Sequence, residues 1–370
     1  MQTFDDVKKR LGFGCMRLPM VGEDVDIAQV REMVDIFLKE GFNYFDTAHG
    51  YIKGKSELAL RETLTSRYPR ESYILTNKLS GYLFNSEEEI RPLFQAQLDA
   101  CGVDYFDFYL MHAQNKDWFA HFKRCRGYET ALQLKEEGKI RHFGLSFHDT
   151  AEVLDEILSE YPQVEVVQLQ YNYLDYEDEK VQSRKCREVA EKHGKRIIVM
   201  EPIKGGSLIN LPPRAKALLD ENGLKPANLA IRFAAYPESM FMVLSGMSSL
   251  EQMKDNISFM KEYQRLSEDE VNLALQTAHL IRAENLIPCT ACRYCCDGCP
   301  KHIAIPDLFA YANAKKQYNE YNAEYYFNSA YTEGKGKAGD CIRCGKCERV
   351  CPQKLPIRVL LQDIAKEFEK

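Results

Sequence analysis

The chain has 370 residues, of which 45% are hydrophobic and 28% are charged, and its formal net charge at pH 7 is −6. This length is more than one small domain needs, and the mixed composition is that of an ordinary globular protein. The mild net charge indicates no basic patch, which argues against nucleic acid or an anionic membrane surface as a partner.

From residue 11 to about residue 261, short apolar runs alternate with amphipathic segments. Apolar runs bounded by polar or glycine positions are typical of strands that are covered on both faces. The predicted strands span residues 11–18, 43–45, 73–76, 106–111, 140–145, 164–168, 196–200 and 241–244. The predicted helices span residues 27–40, 56–66, 86–100, 128–137, 150–160, 178–192, 226–235 and 250–263.

Eight strands, each followed by a helix over about 250 residues, predict an α/β fold of the (β/α)8 TIM barrel type. A doubly wound open sheet is the alternative. That fold is expected to carry a glycine-rich dinucleotide motif after its first strand, and Gly12-Phe-Gly14 does not continue into one. The barrel is therefore the leading interpretation for residues 1–265.

A further helix is predicted to begin near Ser267, which can act as an N-cap ahead of acidic residues that suit the helix dipole. We expect residues 266–287 to form a linking helix and residues 288–370 to form a separate domain. Inside that domain, the segments 318–331 and 334–339 are expected to connect two cysteine clusters.

The 13 cysteines are unevenly distributed along the chain. Nine lie between Cys289 and Cys351, and four are scattered earlier, where we expect small buried hydrophobes: Cys15, Cys101, Cys125 and Cys186. The first residues lack the basic-then-apolar pattern of a signal peptide, and no apolar run has membrane-spanning length. We therefore expect a cytoplasmic protein, in which clustered thiols stay reduced and bind metal.

The clustered cysteines form two copies of the spacing Cys-x2-Cys-x2-Cys-x3-Cys-Pro, with Cys296 as an additional thiol. This is the bacterial ferredoxin spacing for [4Fe–4S] clusters, in which the fourth cysteine of each run binds the other cluster. A structural zinc site is the alternative, although such sites usually pair two Cys-x2-Cys segments. The region resembles a small α+β ferredoxin-like domain. The implied ligands are Cys289, Cys292, Cys295 and Cys351 for one cluster, and Cys341, Cys344, Cys347 and Cys299 for the other.

Polar residues follow three of the predicted barrel strands. In a parallel α/β fold, catalytic and binding residues usually lie at the carboxyl ends of the strands. A buried lysine there needs a partner of opposite charge. For each residue alone, a structural role is the commoner explanation. Together, Asp46, Tyr51, Lys78 and His112 resemble the catalytic tetrad of the aldo-keto reductase family, in the segments Phe45-Asp-Thr-Ala-His-Gly-Tyr51, Thr76-Asn-Lys78 and Leu110-Met-His112.

The resemblance implies hydride transfer between a nicotinamide cofactor and a carbonyl or alcohol substrate, with Tyr51 as the proton donor. As the carbonyl carbon accepts hydride, its oxygen becomes an alkoxide and needs an acid nearby. We expect the Lys78 ammonium to lower the pKa of Tyr51 from its ordinary value of about 10, while Asp46 keeps that lysine charged. His112 can donate a hydrogen bond to the carbonyl oxygen.

The same resemblance implies a cofactor site at the later strand ends, with NADP, or NAD, as the cofactor. The implied cofactor-binding residues are Ser146, Gln168, Met200, Gly205, Gly206, Gln252 and Asn256. Three positions depart from the family pattern. Phe147 replaces an asparagine, Met200 replaces the tyrosine that many members stack on the nicotinamide, and Gln252 replaces the arginine common in NADP-specific members.

We therefore expect an oxidoreductase that carries two [4Fe–4S] clusters for electron transfer or for structure, with a small carbonyl or alcohol as substrate and a redox protein as a further candidate partner. Nicotinamide moves two electrons as hydride whereas a cluster moves one, and no flavin site that would connect them is evident. The alternative is an electron-transfer protein whose barrel binds a cofactor without reducing carbonyls. A complete proton-donor constellation favours the enzyme.

Overall fold

The structure, a computed structural model, describes residues 4–284, 286–318 and 335–369. The chain forms two compact units. One contains Met1–Pro202 and Asn228–Glu270, and the other contains Ile203–Ala227 and Val271–Lys370. Among the described helices, none is long and apolar enough to cross a membrane.

The first unit is built around a closed barrel of eight parallel strands, which confirms the predicted fold class. The strands are β1 Leu11–Gly14, β4 Tyr44–Asp46, β5 Ile74–Leu79, β6 Phe106–Gln114, β7 Ile140–Phe147, β8 Val166–Gln170, β9 Arg196–Met200 and β10 Met240–Ser245. They neighbour one another in the order β1-β10-β9-β8-β7-β6-β5-β4. A short antiparallel pair follows β1 in the chain, β2 Met20–Val21 and β3 Asp24–Val25.

Helices follow the barrel strands along the chain, as the alternating pattern predicts. They are α1 Ile27–Lys39, α2 Lys55–Leu60, α3 Ile90–Cys101, α4 Lys116–Arg124, α5 Gly127–Glu136, α6 Ala151–Glu160, α7 Ser183–Lys192, α8 Pro213–Glu221, α9 Pro226–Ala234, α10 Leu250–Met260 and α11 Glu268–Ala283. Helices α4 and α8 were not predicted from the sequence. Helix α4 is short and buries Phe119 and Phe122, and it begins where the Asn115 side chain accepts a hydrogen bond from the backbone N–H of Trp118.

Several predicted boundaries were wrong by more than a residue or two. The first strand stops at Gly14, because Cys15–Arg17 forms a 3-10 turn. The helix predicted over residues 56–66 is α2 followed by a π-helical turn at Arg61–Thr65. The helix predicted over residues 178–192 begins at Ser183, since the preceding residues form turns. The pattern of polar and apolar residues predicts that a helix or strand exists better than it predicts the residues at which it begins and ends.

The barrel interior is filled by apolar side chains from alternate positions of its strands. A buried cluster contains Tyr44 of β4, Ile74 of β5 and Phe108 of β6, and Phe4 packs against it. The ring centre of Phe4 lies 5.1 Å from that of Phe108. Burying apolar side chains of this size contributes about 1.5–3 kcal/mol each.

The same alternation positions the predicted catalytic side chains. Successive strand residues face opposite sides, so every second residue faces the interior. Asp46 stands two residues after Tyr44, and Lys78 stands four residues after Ile74. In the parallel register, Asp46 pairs with Thr76 and Lys78 pairs with Leu110. Both side chains therefore face the interior at the carboxyl end of the barrel.

The second unit is mainly helical in the residues that the structure describes. After α11 it contains α12 Tyr294–Asp297, α13 Ile305–Tyr318, α14 Lys346–Arg349 and α15 Ile357–Phe368, with an isolated parallel bridge between Ile303 and Gly336. Its core contains Ile303, Leu308, Phe309, Leu355, Leu361 and Ile364, with most of the clustered cysteines packed around it. The first predicted connector, 318–331, lies outside the described residues except for its first residue.

Candidate active site and cluster-binding cysteines

Lys78 is fully buried, and its ammonium group has an acceptor for each of its three N–H bonds. Nζ donates to Asp46 Oδ1 over 2.6 Å, to the carbonyl oxygen of Thr47 over 2.8 Å and to the hydroxyl oxygen of Tyr51 over 3.1 Å. Burial lowers the pKa of Lys78, and the Asp46 carboxylate opposes that effect. A complete set of acceptors favours the charged ammonium, so we interpret Lys78 and Asp46 as a buried ion pair.

The pKa of Tyr51 differs from the sequence-based expectation. Burial, followed by the Asp46 carboxylate, raises the pKa of Tyr51 well above its ordinary value. The expected lowering by Lys78 is therefore wrong for this arrangement, because burial of the phenol raises its pKa and the Asp46 carboxylate adds to that rise. Tyr51 consequently keeps its proton over the whole neutral range.

The backbone turns sharply after Tyr51. Ile52 and Lys53 have φ angles of +51° and +55°, in the left-handed region that non-glycine residues seldom adopt. Each such residue costs about 1–2 kcal/mol, and backbone strain of this kind is concentrated at functional sites.

His112 lies beside this group, with its ring centre 6.1 Å from that of Tyr51. Its Nδ1 hydrogen bonds to Ser80 Oγ over 2.6 Å. Burial, followed by the charge of Lys78, lowers the pKa of His112 well below its ordinary value. The imidazole is therefore neutral at neutral pH. The structure thus brings the four predicted catalytic residues together at one end of the barrel.

A buried polar network that was not predicted from the sequence holds the backbone of Lys78. Asn77 Oδ1 accepts a hydrogen bond from the Lys78 backbone N–H over 2.8 Å, and the Gln97 side chain donates to the Lys78 carbonyl oxygen over 2.9 Å. The Tyr109 hydroxyl donates to Gln97 Oε1 over 2.6 Å. The signal that could have revealed this network is the polarity of Asn77 and Gln97, at positions that otherwise call for apolar side chains.

The network continues to Glu57, which is buried. Glu57 Oε1 accepts from the Asn77 amide over 2.8 Å, and Glu57 Oε2 contacts Nδ1 of His49 at 2.7 Å. The Glu57 carboxylate raises the pKa of His49, which favours an ion pair. His49 therefore lies within the motif but contacts the supporting network rather than Tyr51.

The predicted cofactor residues of the first unit mostly have protein hydrogen-bond partners. Gln168 donates to Asp46 Oδ2 over 3.2 Å, and Ser146 Oγ accepts from the Ala113 backbone N–H over 2.7 Å. Gln252 Oε1 accepts from the Ser248 backbone N–H over 2.8 Å. Asn256 donates to Ser245 Oγ over 2.9 Å. Met200 is the last residue of β9.

The predicted phosphate-binding glycines belong to the second unit and adjoin its cysteine loops. Gly205 has a φ of +63°, and a Cβ atom there would lie 2.3 Å from the carbonyl oxygen of Thr290. The neighbouring Lys204 donates to Gln353 Oε1 over 2.6 Å. Thr290 follows Cys289 and Gln353 stands two residues after Cys351, so the contacts involve segments that carry predicted ligands of one cluster.

The predicted ligands of the second cluster line one cavity in the second unit. Four of its lining residues are Cys299, Cys341, Cys344 and Cys347. These are three cysteines of the second motif together with the fourth of the first, which is the crossed set that the ferredoxin spacing implies. The walls also contain Ile303, Ile305 and Leu361, and the Arg358 side chain. Four thiols around an apolar cavity suit an iron–sulfur cluster.

The first motif also brings its cysteines near one another. The Sγ atom of Cys289 accepts a hydrogen bond from the Ala291 backbone N–H over 3.4 Å, and the thiols of Cys296, Cys292 and Cys289 contribute to raising the pKa of Cys295. In the described part of the chain, no group of three or more His, Cys, Asp or Glu side chains is arranged to hold a single metal ion. The four scattered cysteines of the barrel are buried, as predicted.

The fold and this site define the class of the protein, and sequence comparison identifies the family. The model of the aldo/keto reductase family matches residues 10–276, and the chain belongs to that family. A 4Fe-4S dicluster domain model matches residues 288–355. The C-terminal fusion that the cysteine spacing predicts is confirmed.

Curated relatives match most of the barrel. The NADH-specific methylglyoxal reductase of Escherichia coli K12 is 27% identical over 309 residues, which is 69% of this chain and 91% of the relative. The L-galactose dehydrogenase of Arabidopsis thaliana is 27% identical over 302 residues, which is 75% of this chain and 92% of the relative.

Solved structures share the fold. The holo form of an aldo-keto reductase from Bacillus halodurans superposes with a TM-score of 0.60 at 24% identity, covering 73% of this chain and 92% of that one. An aldo-keto reductase from Klebsiella pneumoniae in complex with NADP and acetate gives 0.59 at 17% identity, covering 74% and 91%.

Proposed function

We propose that the protein reduces a small carbonyl compound, or oxidises the corresponding alcohol, with a nicotinamide cofactor and with Tyr51 as the proton donor. One observation carries the proposal. Lys78 donates its hydrogen bond to the oxygen of Tyr51. The proton of the Tyr51 hydroxyl is then left for another acceptor, and a substrate carbonyl oxygen can be that acceptor.

The remaining contacts support the same roles. The raised pKa of Tyr51 keeps the phenol protonated before reaction, as a donor requires. Once the proton has left, the Lys78 ammonium 3.1 Å away stabilises the phenolate, and Asp46 keeps that ammonium charged and directed. A bound nicotinamide would supply the hydride. When Ser80 Oγ donates to Nδ1, the neutral ring of His112 carries its proton on Nε2 and can donate to the substrate oxygen.

Fewer contacts support the proposed cofactor site than support the proposed catalytic residues. Ser146 pairs with Gln168 in the strand register, so both stand at neighbouring strand ends, where a nicotinamide carboxamide can be bound. A phosphate-binding role for Gly205 and Gly206, which belong to the second unit, stays a prediction from the family resemblance. Gln252 offers no charge to a 2′-phosphate, so NAD competes with NADP as the cofactor. The relative that reduces methylglyoxal with NADH makes small α-carbonyl compounds the first substrates to test.

We propose further that the two crossed cysteine sets hold two [4Fe–4S] clusters. The cavity lined by Cys299, Cys341, Cys344 and Cys347 supports this assignment. Cysteine thiolates remain available for clusters in a reducing compartment, which favours the cytoplasm as the location. A second candidate function is an electron carrier whose barrel binds cofactor without reducing carbonyls, and the exposed Cys344 favours electron exchange at the second cluster.

The experiment is an anaerobic purification with iron, sulfide and flavin analysis, followed by NADPH and NADH oxidation assays over a panel of aldehydes and ketones that includes methylglyoxal. We expect carbonyl-dependent oxidation that Lys78→Met abolishes. Lys39→Met, at an exposed position on α1, is the control and should leave the rate unchanged. Carbonyl-dependent oxidation that survives Lys78→Met, or none with any carbonyl, contradicts the proposal.

A further inference from the structure

The two cysteine motifs have the same spacing but differ at every position between their cysteines. In the first motif, Thr290 is 1% exposed and its carbonyl oxygen closely approaches Gly205. Its counterpart in the second motif is Ile342, which is 58% exposed. At this position the first motif is therefore buried against its own chain, whereas the second motif is exposed to solvent.

Basic side chains accompany this exposure in the second motif. Arg343, Lys346 and Arg349 are all exposed and stand where the first motif has Ala291, Tyr294 and Asp297. Residues 341–358 contain five basic side chains and one acidic side chain, a formal charge of +4, whereas the equivalent residues 289–306 carry +1. The whole-chain charge of −6, from which we expected no basic patch, conceals this local excess.

Three acidic groups within or beside this segment in sequence have partners. Glu348 Oε2 lies 2.7 Å from Arg358 Nη2, Asp363 Oδ1 lies 3.6 Å from Lys366 Nζ, and Asp340 Oδ2 accepts from the Lys337 backbone N–H over 2.8 Å. Arg358 also lines the cavity of the second cysteine set, so its charge faces the cluster ligands. The three exposed basic side chains 343, 346 and 349 point to an anionic partner outside the chain.

Exposed apolar side chains lie among these charges. Val350 is 47% exposed, and Val359, in the first turn of α15, is 49% exposed. Arg343 reaches α15 as well, donating to Gln362 Oε1 over 3.0 Å, which places it one turn from Val359. Apolar residues surrounded by a charged rim are the usual composition of a protein-docking surface.

The exposed cluster ligand lies within this same segment. Of the eight predicted cluster ligands, all of which the structure describes, Cys344 is the exposed one. The next residue, Gly345, has Arg349 Nη1 and Arg358 Nη1 each within 3.8 Å of the position of an added Cβ. A partner seated on this surface would therefore approach the second cluster through its most accessible ligand.

We propose that Ile342, Arg343, Lys346, Arg349, Val350 and Val359 form a docking surface for an acidic one-electron carrier protein. The proposal rests on the proposed cluster binding and not on carbonyl reduction. In the exchange, one electron passes from the reduced centre of the carrier to the cluster, or in reverse. One partner is oxidised and the other is reduced by that electron, no covalent bond forms or breaks, and no proton moves.

The test measures binding of the anaerobically purified full chain to two probes, an acidic flavodoxin and an acidic [2Fe–2S] ferredoxin, by calorimetry at several salt concentrations. The test variant is Arg343→Glu/Lys346→Glu/Arg349→Glu. The control, Lys39→Glu/Lys185→Glu/Arg214→Glu, changes the net charge equally at exposed positions elsewhere. We expect the test variant to raise the Kd about tenfold or more and to flatten its salt dependence, while the control leaves both nearly unchanged.

A second variant, Ile342→Ser/Val350→Ser, removes apolar contacts without changing the charge of the surface. It should weaken binding without changing the salt dependence. The cluster absorbance and EPR signal of every variant establish that the clusters remain, and stopped-flow reduction by the probe should slow in parallel with the Kd. Equal weakening by the control, or no binding of either probe, overturns the proposal. Binding to phosphatidylserine vesicles or to single-stranded DNA in place of the carriers also overturns it. If the variants keep their carbonyl turnover while the docking proposal fails, the proposed reductase activity is unaffected by that failure.

Discussion

Lys78 Nζ lies 3.1 Å from the hydroxyl oxygen of Tyr51 and 4.7 Å from the centre of its ring. The lysine is fully buried, so this contact and the pair with Asp46 hold its charge without solvent. The same three residues therefore form one buried, hydrogen-bonded group at the end of the barrel.

Removing the carboxylate should destabilise the fold. Asp46→Asn leaves the buried Lys78 ammonium without its counter-charge, and we expect a loss of about 3–5 kcal/mol in the free energy of unfolding, measured by urea denaturation. Asp24→Asn is the matched control, because Asp24 pairs with Lys55 at the surface and is 82% exposed. That change should cost less than about 1 kcal/mol. Equal losses in both variants would contradict a buried ion pair.

The support of Lys78 can be tested with two buried tyrosines. Tyr109→Phe leaves Gln97 Oε1 without the donor that lies at 2.6 Å, and we expect a loss of about 1–3 kcal/mol in unfolding free energy. Tyr173 is equally buried, but its hydroxyl has no hydrogen-bond partner within the described residues. Tyr173→Phe should therefore be neutral or stabilising. A reversed order would show that the network does not hold Gln97.

The pair of His49 and Glu57 predicts a pH-dependent stability. The carboxylate raises the pKa of His49 above its ordinary value, so the folded chain holds this proton more tightly than the unfolded chain. The stabilisation is complete below the ordinary histidine pKa of about 6.5 and is lost as the pH rises through the raised value. His49→Asn should therefore lower the Tm more at about pH 6 than at about pH 9.

The control for that pair is His279→Asn, at an exposed position on α11, which should lower the Tm equally little at both pH values. A His49→Asn effect that grows with pH would show that the imidazole is bound in its neutral form.

The close approach at Gly205 makes a further prediction. Gly205→Ala places a Cβ atom 2.3 Å from the Thr290 carbonyl oxygen, next to Cys289, at a φ of +63°. Gly223→Ala has a similar φ of +67° and meets nothing within 4 Å. Thermal and urea unfolding should show a cost of about 1–2 kcal/mol for Gly223→Ala, and about 1–3 kcal/mol more for Gly205→Ala.

The cluster absorbance should fall in Gly205→Ala and stay normal in Gly223→Ala, because only the first change displaces the segment that carries Cys289. If the two variants behave alike, the loop at Gly205 does not support the first motif.

The sequence was sufficient for the barrel and for the grouping of its predicted catalytic residues. Strand periodicity puts Asp46 and Lys78 on the interior face, and the carboxyl ends of parallel strands meet at one edge. The grouping of Cys299 with the second motif is what the resemblance to bacterial ferredoxins implies.

The supporting network could not be predicted in the same way. Glu57, Asn77 and Gln97 belong to different elements, and only tertiary packing brings them together. The pKa direction of Tyr51 was wrong because it depends on burial and on the balance between Asp46 and Lys78, which a motif does not contain. The basic surface around Arg343 was hidden in a net charge summed over the whole chain.

The most direct test of the central claim is the turnover of Tyr51→Phe with a carbonyl substrate at saturating cofactor. We expect a loss of about 10²-fold or more, the scale of a positioned proton donor, with an unchanged Kd for the nicotinamide cofactor. Tyr82→Phe, at an exposed neighbouring phenol, should keep most of its turnover. Wild-type turnover in Tyr51→Phe would contradict the claim that this phenol supplies the proton.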